Sequence, residues 1–389
     1  MRLLATLFFL VSCGILAAKL PDLAPLPEVK RVSKEELSAS ITRGVDYLVK
    51  KQNKDGSFGG PRRTKGLNIY APVPEAHLAF RSGSTGLALA GLIDSGDHRP
   101  EVVAAIAKCE EWIFTKLPKL RHIDPTTTYN VWGHSYGLRA ICDLYEYHQG
   151  DEVKRSRLKE LAAQQIEMLK KVEDINGGWG YLDLDDMHTA HFSGLPTSFS
   201  TATVLLAMKE AQDTMGIEIP KKQVKRGLDS IEKQRTPDWS FVYSLSHRYR
   251  PRYGINRPAG SLARSQVCIA AMQVFGDDRI TDKLIMHWQH RLCLKEGWLS
   301  IGRKRPVPHE THFSISGYFY YYGFYYATEC LEMLPSAKRQ EYIPHLSRHL
   351  LSKQERDGSW WDYPLYDYHQ AYGTGYTLTA LSRLRSSLK

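Results

Sequence analysis

Gln52-Asn53-Lys54-Asp55-Gly56-Ser57-Phe58, near the start of the chain, and Gln354-Glu355-Arg356-Asp357-Gly358-Ser359-Trp360, near its end, read as the same device. In each, a glutamine closes a helical pattern and Asp-Gly turns the chain, because glycine accepts a positive φ. An aromatic ring then follows to pack back onto neighbouring helix ends, and the Gln amide is placed to reach unpaired backbone groups there. Related turns stand at 176–181 (NGGWGY), 236–243 (TPDWSFVY) and 295–300 (KEGWLS). A turn that recurs at intervals marks a repeat architecture.

Working outward, each turn lies between two kinds of helix. The first kind is charged on one face and apolar on the other, as an outer-wall helix should be. It is expected at 36–52, 99–117, 154–172, 222–235, 279–294 and 337–354. The second kind is apolar nearly all round and must be buried on most sides. It is expected at 84–93, 130–147, 197–213, 260–275, 315–333 and 371–385. Six such pairs, alternating outer and inner, predict an all-α fold, an α6/α6 toroid of two concentric rings spanning 36–389. The longer loops at 58–84, 181–196 and 243–260 gather at the end where inner helices begin, and loops at one end of a rigid scaffold are where sites sit.

Composition agrees. Of 389 residues, 42% are hydrophobic and 24% charged, enough to bury a large core. The net charge of +10 is spread along the chain without a basic block carrying interleaved aromatics. Nucleic-acid binding is therefore not expected, although anionic surfaces or ligands would be attracted. Met1-Arg2 followed by the apolar run 3–18 reads as a signal peptide, too short for a membrane span. This predicts export to the periplasm, cell envelope or exterior. Leu10-Val11-Ser12-Cys13 also resembles a lipobox, with lipidation of Cys13 as the alternative to cleavage after Ala18. A Pro-rich linker covers 19–35. Cys109, Cys142, Cys268, Cys293 and Cys330 then remain, odd in number, without CxxC or zinc spacing, and in apolar contexts where cysteine acts as a small hydrophobe. No cofactor or metal is expected.

The QNKDGSF and QERDGSW turns resemble the QW-type repeats of squalene and terpene cyclases, and the inner helices resemble those of cyclases and protein prenyltransferase β-subunits. WGHSYG, NGGWGY and the ending DGSWWDYP…AYGTGYTLTAL resemble exported bacterial proteins with prenyltransferase and squalene-oxidase repeats. The resemblance covers nearly all of 36–389 and implies the toroid. It implies no particular reaction.

Each enzymatic reading makes a demand on residues. A class II cyclase needs the acid of a DxDD motif at an inner-helix opening. Asp183-Leu184-Asp185-Asp186 falls one loop too early, beside Met187, His188 and His191, and the corresponding helix opening, Pro196 to Ala202, carries no acid. A prenyltransferase needs Asp, Cys and His on zinc. Cys268 and His369 do not match those positions. A thioester motif is absent. Glycan hydrolases and lyases on toroids need paired carboxylates, or a base with arginine, in an aromatic groove. Asp185 with Asp186, or Arg248, Arg250 and Arg252, would serve. His309-Glu310-Thr311-His312 is too tightly spaced for a zinc helix.

Four further features suggest a central cavity. Tyr318 to Tyr326 (YFYYYGFYY) is an aromatic wall. Arg264, in an otherwise apolar helix, needs a partner or a polar cavity, and His134 opens the second inner helix. One residue from the start of each inner helix should therefore ring a common mouth: Thr85, His134, Ser200, Arg264, Tyr318 and Thr374, joined by Tyr322 and His312. The function expected is binding of an amphipathic or apolar ligand there. The alternative is an enzyme, either a cyclase relative using Asp183, Asp185 and Asp186 or a glycan-active hydrolase or lyase.

Overall fold

Ser33 opens the first helix: its hydroxyl accepts the Glu36 N–H at 3.2 Å, and two acidic residues fill the first turn. From there the chain alternates between outer and inner helices. In the computed structural model, residues 20–66, 69, 71, 75–120, 129–180, 196–257, 260–310 and 314–388 are described. The outer helices are α1 (Lys34–Lys51), α3 (Pro100–Lys116), α5 (Glu152–Lys171), α7 (Lys221–Gln234), α9 (Asp282–Ser300) and α12 (Ile343–Leu351), the last preceded by the short α11 (Ser336–Arg339). The inner ones are α2 (Glu75–Asp94), α4 (Asn130–Tyr147), α6 (Ser198–Met215), α8 (Leu262–Val274), α10 (Phe319–Glu332) and α13 (His369–Ser387). Each inner helix packs on the next in this order, and α13 returns to α2, closing the ring.

The two classes differ as the sequence demands. On α1 only the stripe through Leu37, Ile41, Gly44, Val45 and Leu48 is buried, along with Ser40 and Tyr47. On α4 burial runs through almost every residue from Asn130 to Cys142. Capping hydroxyls or carboxylates begin α5 (Asp151), α6 (Thr197) and α9 (Thr281). No helix of the described residues is long and apolar enough to cross a membrane.

The recurring turns fasten the two rings together. The N–H of each turn aromatic donates to a hydroxyl near the start of the following inner helix: Phe58 to Thr85 (3.0 Å), Trp179 to Thr201 (2.9 Å), Phe241 to Ser261 (2.8 Å) and Trp360 to Thr374 (3.1 Å). The Gln side chains reach mid-helix carbonyls of the adjacent outer helix, where helix ends had been expected. Gln52 donates to Ala105 O (2.8 Å) on α3, and Gln354 to Ser40 O (2.9 Å) on α1. The second bond ties the last repeat to the first. Gly56 and Gly358 lie at φ +89° and +90°, with a neighbouring backbone so close that a Cβ would fall 2.1 and 2.3 Å from a carbonyl oxygen. In the fourth repeat Trp239 takes the same left-handed place (φ 61°) between Asp238 and Ser240.

Two expectations are corrected. Helix α2 begins at Glu75, well before residue 84, which shortens the loop ahead of it. Lys295–Ser300 is not a turn but the last part of α9. The true turns rest on an aspartate that accepts the N–H two residues on, as Asp55 does from Ser57 (3.1 Å) and Asp357 from Ser359 (3.1 Å). Here the residue before glycine is Glu296, one methylene longer, and its carboxylate accepts instead from the Tyr320 hydroxyl. Residues 20–33 lie against the outer wall: Ala24 O pairs with His290 (2.7 Å), and Lys30 O with Arg348 (2.9 Å). The stretch 1–18, with Cys13, lies outside the described residues. The remaining five cysteines are buried and free.

Candidate functional site

Inner helices all run in one direction, so their early turns share one end of the toroid. A cavity of about 230 Å³ opens there. Its wall comes from Phe80, Gly83 and Leu87 on α2, Trp132 and Tyr136 on α4, and Phe199 on α6. Phe319 and Tyr322 on α10, with Tyr318 just before it, and Tyr372 and Tyr376 on α13 continue the ring. Loop residues Ile69, Tyr129, Pro308, His309, Tyr363, Leu365 and Tyr368 complete it. The aromatic pairs within it are edge-to-face or tilted, for example Tyr136 with Tyr376 (5.5 Å between centroids) and Tyr322 with Tyr376 (6.2 Å).

Most of the hydroxyls are already engaged. Tyr322 donates to Phe199 O (3.1 Å), Tyr363 to Pro306 O (3.2 Å) and Tyr368 to His77 O (3.2 Å). Tyr372 donates to the Asp362 carboxylate (2.7 Å). What faces the space is therefore mainly ring surface. Asp362 itself is fully buried, and its other oxygen accepts the N–H of Tyr321 (3.0 Å), the third residue of α10. It thus serves as a cap supplied from a distant loop, since Tyr318 provides none. Burial nevertheless pushes its pKa up to about 6.

The polar feature at the wall is His309. Its Nδ1 lies 2.7 Å from Ser314 O, and a carbonyl can only accept, so Nδ1 carries the proton. Nε2 is then the basic nitrogen, 3.2 Å from the Tyr318 hydroxyl, which in turn lies 3.2 Å from that of Tyr243. The backbone of His309 is left-handed (φ 61°), a costly conformation for this residue. Burial holds its pKa below the ordinary histidine value, and the Arg264 charge lowers it further. His247 is depressed by the same two causes. A neutral imidazole whose basic nitrogen meets the Tyr318 hydroxyl at the cavity wall is equipped to exchange a proton there.

The residues expected to ring the mouth divide. Tyr318 and Tyr322 line the cavity, whereas Thr85, His134, Ser200, Arg264 and Thr374 do not. Thr85 and Thr374 point back at the turns. His134 bonds Gln165 of outer helix α5 (2.8 Å), and Ser200 is buried on α6. Arg264 is buried behind the wall, donating to Phe241 O (3.1 Å) and Ile255 O, with its guanidinium 5.6 Å from the Phe319 ring. The reason is helical phase. Two residues along an α-helix turn about 200°. Trp132 and Tyr136 flank His134, and Tyr372 and Tyr376 flank Thr374, so the flanking aromatics face inward and the chosen residues outward. Aromatics at i, i+4 at the start of three inner helices, Trp132/Tyr136, Tyr318/Tyr322 and Tyr372/Tyr376, are the signal that would have found them. Asp183, Asp185, Asp186 and His312 lie outside the described residues.

At the opposite end, the late turns of the inner helices carry charge. Arg139 pairs with Glu210 and Glu329 (2.9 Å each), and Arg383 with Glu329 (3.6 Å) and Glu332 (3.4 Å). Asp94, Asp143 and Glu210 all have raised pKa values, first through burial. Among the described residues no group of three or more His, Cys, Asp or Glu is arranged to hold a metal ion.

The sequence matches no family model and none of the curated proteins. Solved structures do match over most of the chain. The cellobiose 2-epimerase from Spirochaeta thermophila aligns over 92% of this chain and 97% of its own, with a TM-score of 0.59 and 12% identity. The unsaturated glucuronyl hydrolase from Streptococcus agalactiae aligns over 93% and 94%, with 0.57 and 14%. The α-1,6-mannanase of Salegentibacter sp. HEL1_6 aligns over 91% and 100%, with 0.53 and 11%. The chain has the six-hairpin glycosidase-like toroid. At these identities the likeness is one of fold. The toroid read from the repeats stands, while its terpenoid-cyclase and prenyltransferase attribution gains no support from any family model.

Proposed function

We propose that this chain is a carbohydrate-active protein that seats one sugar ring against the aromatic wall of the cavity. The observation carrying this is the cavity itself: about 230 Å³, ringed by aromatic faces, at the loop-bearing end of a toroid. That volume is below the roughly 300–1,000 Å³ of sites for drug-sized ligands and suits a single ring. Flat aromatic faces offer apolar contact to the C–H face of a pyranose. The fold's named neighbours, an epimerase, a glucuronyl hydrolase and a mannanase, act on sugars. This favours the glycan-active alternative over the plain apolar ligand, although the wall would also suit an amphipathic molecule.

His309 is our candidate for the proton-transferring group. Among the described lining residues there is no Asp or Glu, so paired-carboxylate hydrolysis is not supplied by this wall. A neutral imidazole that takes the proton from the carbon next to a carbonyl or carboxylate fits elimination, in which the C–H electrons form a double bond as the β C–O bond breaks and the departing oxygen leaves with a proton, or epimerisation, in which a proton returns to the opposite face of that carbon. A second reading has one observation in its favour. The mannanase is described as inactive when two consecutive aspartates are replaced, and Asp185-Asp186 is such a pair.

One experiment separates these readings. Cellobiose, α-1,6-mannotriose and an unsaturated glucuronyl disaccharide are titrated while tryptophan fluorescence is followed, with Trp132→Phe as the reference for the cavity's own signal, and products are read by NMR. We expect saturable binding that survives His309→Gln, with turnover lost in that variant. Turnover lost in Asp185→Asn/Asp186→Asn but kept in His309→Gln would favour the hydrolase. No saturable binding of any sugar would overturn the proposal.

A further inference from the structure

We infer that the mouth of the cavity takes a carboxylate-bearing, uronate-type glycan whose chain leaves the cavity across a collar of basic loops; this rests on the glycan reading above. Along the sequence the positive charges look dispersed. The fold gathers them. The described residues of three segments, 59–71, 244–257 and 301–310, hold ten Lys and Arg against one acid, Glu310. The whole chain's formal excess is +10, so these segments carry nearly an equivalent charge.

All three reach the same mouth. Ile69 of the first and Pro308 and His309 of the third line the cavity. Lys65 and Lys304, one from each, converge on the Trp361 ring, with their Nζ atoms 5.4 and 4.6 Å from its centroid. The second segment joins through His247, whose ring packs on Tyr243 at 5.5 Å, and Tyr243 lies against both His309 (5.2 Å) and Tyr318. Three of the cations are matched internally: Arg62 with Asp367, Lys304 with Glu355 and Arg305 with Glu310. Arg63, Lys65, Arg248, Arg250 and Arg252 are exposed and have no carboxylate within ion-pair distance among the described residues. Within Arg248-Tyr249-Arg250-Pro251-Arg252-Tyr253 the tyrosines are exposed as well, at 74% and 55%.

A cluster of like charges raises the local concentration of anions and strengthens their capture. Eight of the ten cations are arginines, whose planar fork pairs two N–H groups with one carboxylate. Exposed tyrosines between them add ring faces. Forks beside ring faces, around a cavity sized for one sugar, match a polymer that repeats a pyranose and a carboxylate. Nucleic acid and anionic membrane share the charge but have no use for the ring-sized cavity.

The test is calorimetric titration of the full chain with a galacturonic acid hexamer and with neutral cellohexaose, at about 20 and about 150 mM salt. Duplex DNA and phosphatidylglycerol vesicles serve as competing polyanions. The variants are Arg248→Gln/Arg250→Gln/Arg252→Gln and, across the mouth, Lys65→Gln/Lys304→Gln, all exposed positions. The acidic hexamer should bind at least about tenfold tighter at low salt, with the preference shrinking as salt rises. The triple variant should lose about tenfold for the acidic hexamer and bind cellohexaose unchanged, and the double variant should show the same sign. Equal affinity for both hexamers, or an acidic affinity untouched in both variants, overturns this inference and leaves the sugar reading intact. Failure of both hexamers to bind overturns the sugar reading and this inference with it. Tighter binding of DNA or vesicles than of the acidic hexamer reassigns the collar and overturns the inference alone.

Discussion

Replacing Asp362 with asparagine should make the protein more stable at neutral pH and almost neutral in effect near the acid end. Asp362 is fully buried, and its pKa stands at about 6 against an ordinary 3.8. Between those values the folded protein keeps a proton that the unfolded chain has released, so the site makes stability fall as pH rises. Relative to the unfolded chain the site costs about 1 kcal/mol at pH 4.5, where the folded carboxyl keeps its proton, and about 3 kcal/mol at pH 7.5, where it is ionised. No discount for solvent screening applies, because the group is not exposed. Asparagine keeps an oxygen for the Tyr321 N–H and offers its amide to the Tyr372 oxygen, so the two polar contacts survive in altered sense. Urea unfolding of both proteins at the two pH values gives a double difference in which all other titrating groups cancel. We expect the variant's advantage to grow by about 2 kcal/mol from pH 4.5 to pH 7.5. A stability difference independent of pH would show that Asp362 is not held out of its ordinary range, and the reasoning would fail.

Other outcomes follow from the same structure. Gly358→Ala places a Cβ 2.3 Å from the Arg43 carbonyl at φ +90°; thermal melting should show a loss of at least about 2 kcal/mol. Thr374→Val leaves the buried Trp360 N–H without its acceptor and should cost about 1–3 kcal/mol in urea unfolding. Arg139→Met removes the ion-pair partner of Glu210 while Glu329 keeps Arg383, and should cost about 3–5 kcal/mol at pH 7, less in acid, where Glu210, already raised by burial, takes up a proton. Trp132→Ala should weaken sugar binding about tenfold by calorimetry, with helix content by circular dichroism unchanged.

Much of the fold was legible because it rests on local chemistry. An Asp-Gly-Ser turn needs only an aspartate two residues before a backbone N–H and a glycine at positive φ, and both can be read in a string of letters. The outer helices announce themselves by one apolar face, the inner ones by having no polar face. The misread turn at 295–300 shows the limit: Glu296 stands in a turn-like string but is used by Tyr320 on another helix, a partner that no local window contains.

The site was less legible, because it depends on which way a buried helix is rotated. On an outer helix polar residues mark the side facing water. On α4 or α13 nearly every side is buried, polar residues included, so the sequence is silent about which side faces the axis and which the outer ring. Thr374 and Tyr372 are two residues apart and point in nearly opposite directions, and only packing against Trp360 on one side and Tyr322 and Phe319 across the cavity decides between them. Charge behaves likewise. Sequence alone determined that this chain winds six helix pairs into a closed double ring with loops at one end. Tertiary structure alone decided that aromatic rings enclose the axis, that Arg264 is buried behind them, and that Ile69, Pro308 and His309, from loops far apart in sequence, share one cavity wall, because closing the ring brings together segments that lie far apart along the chain.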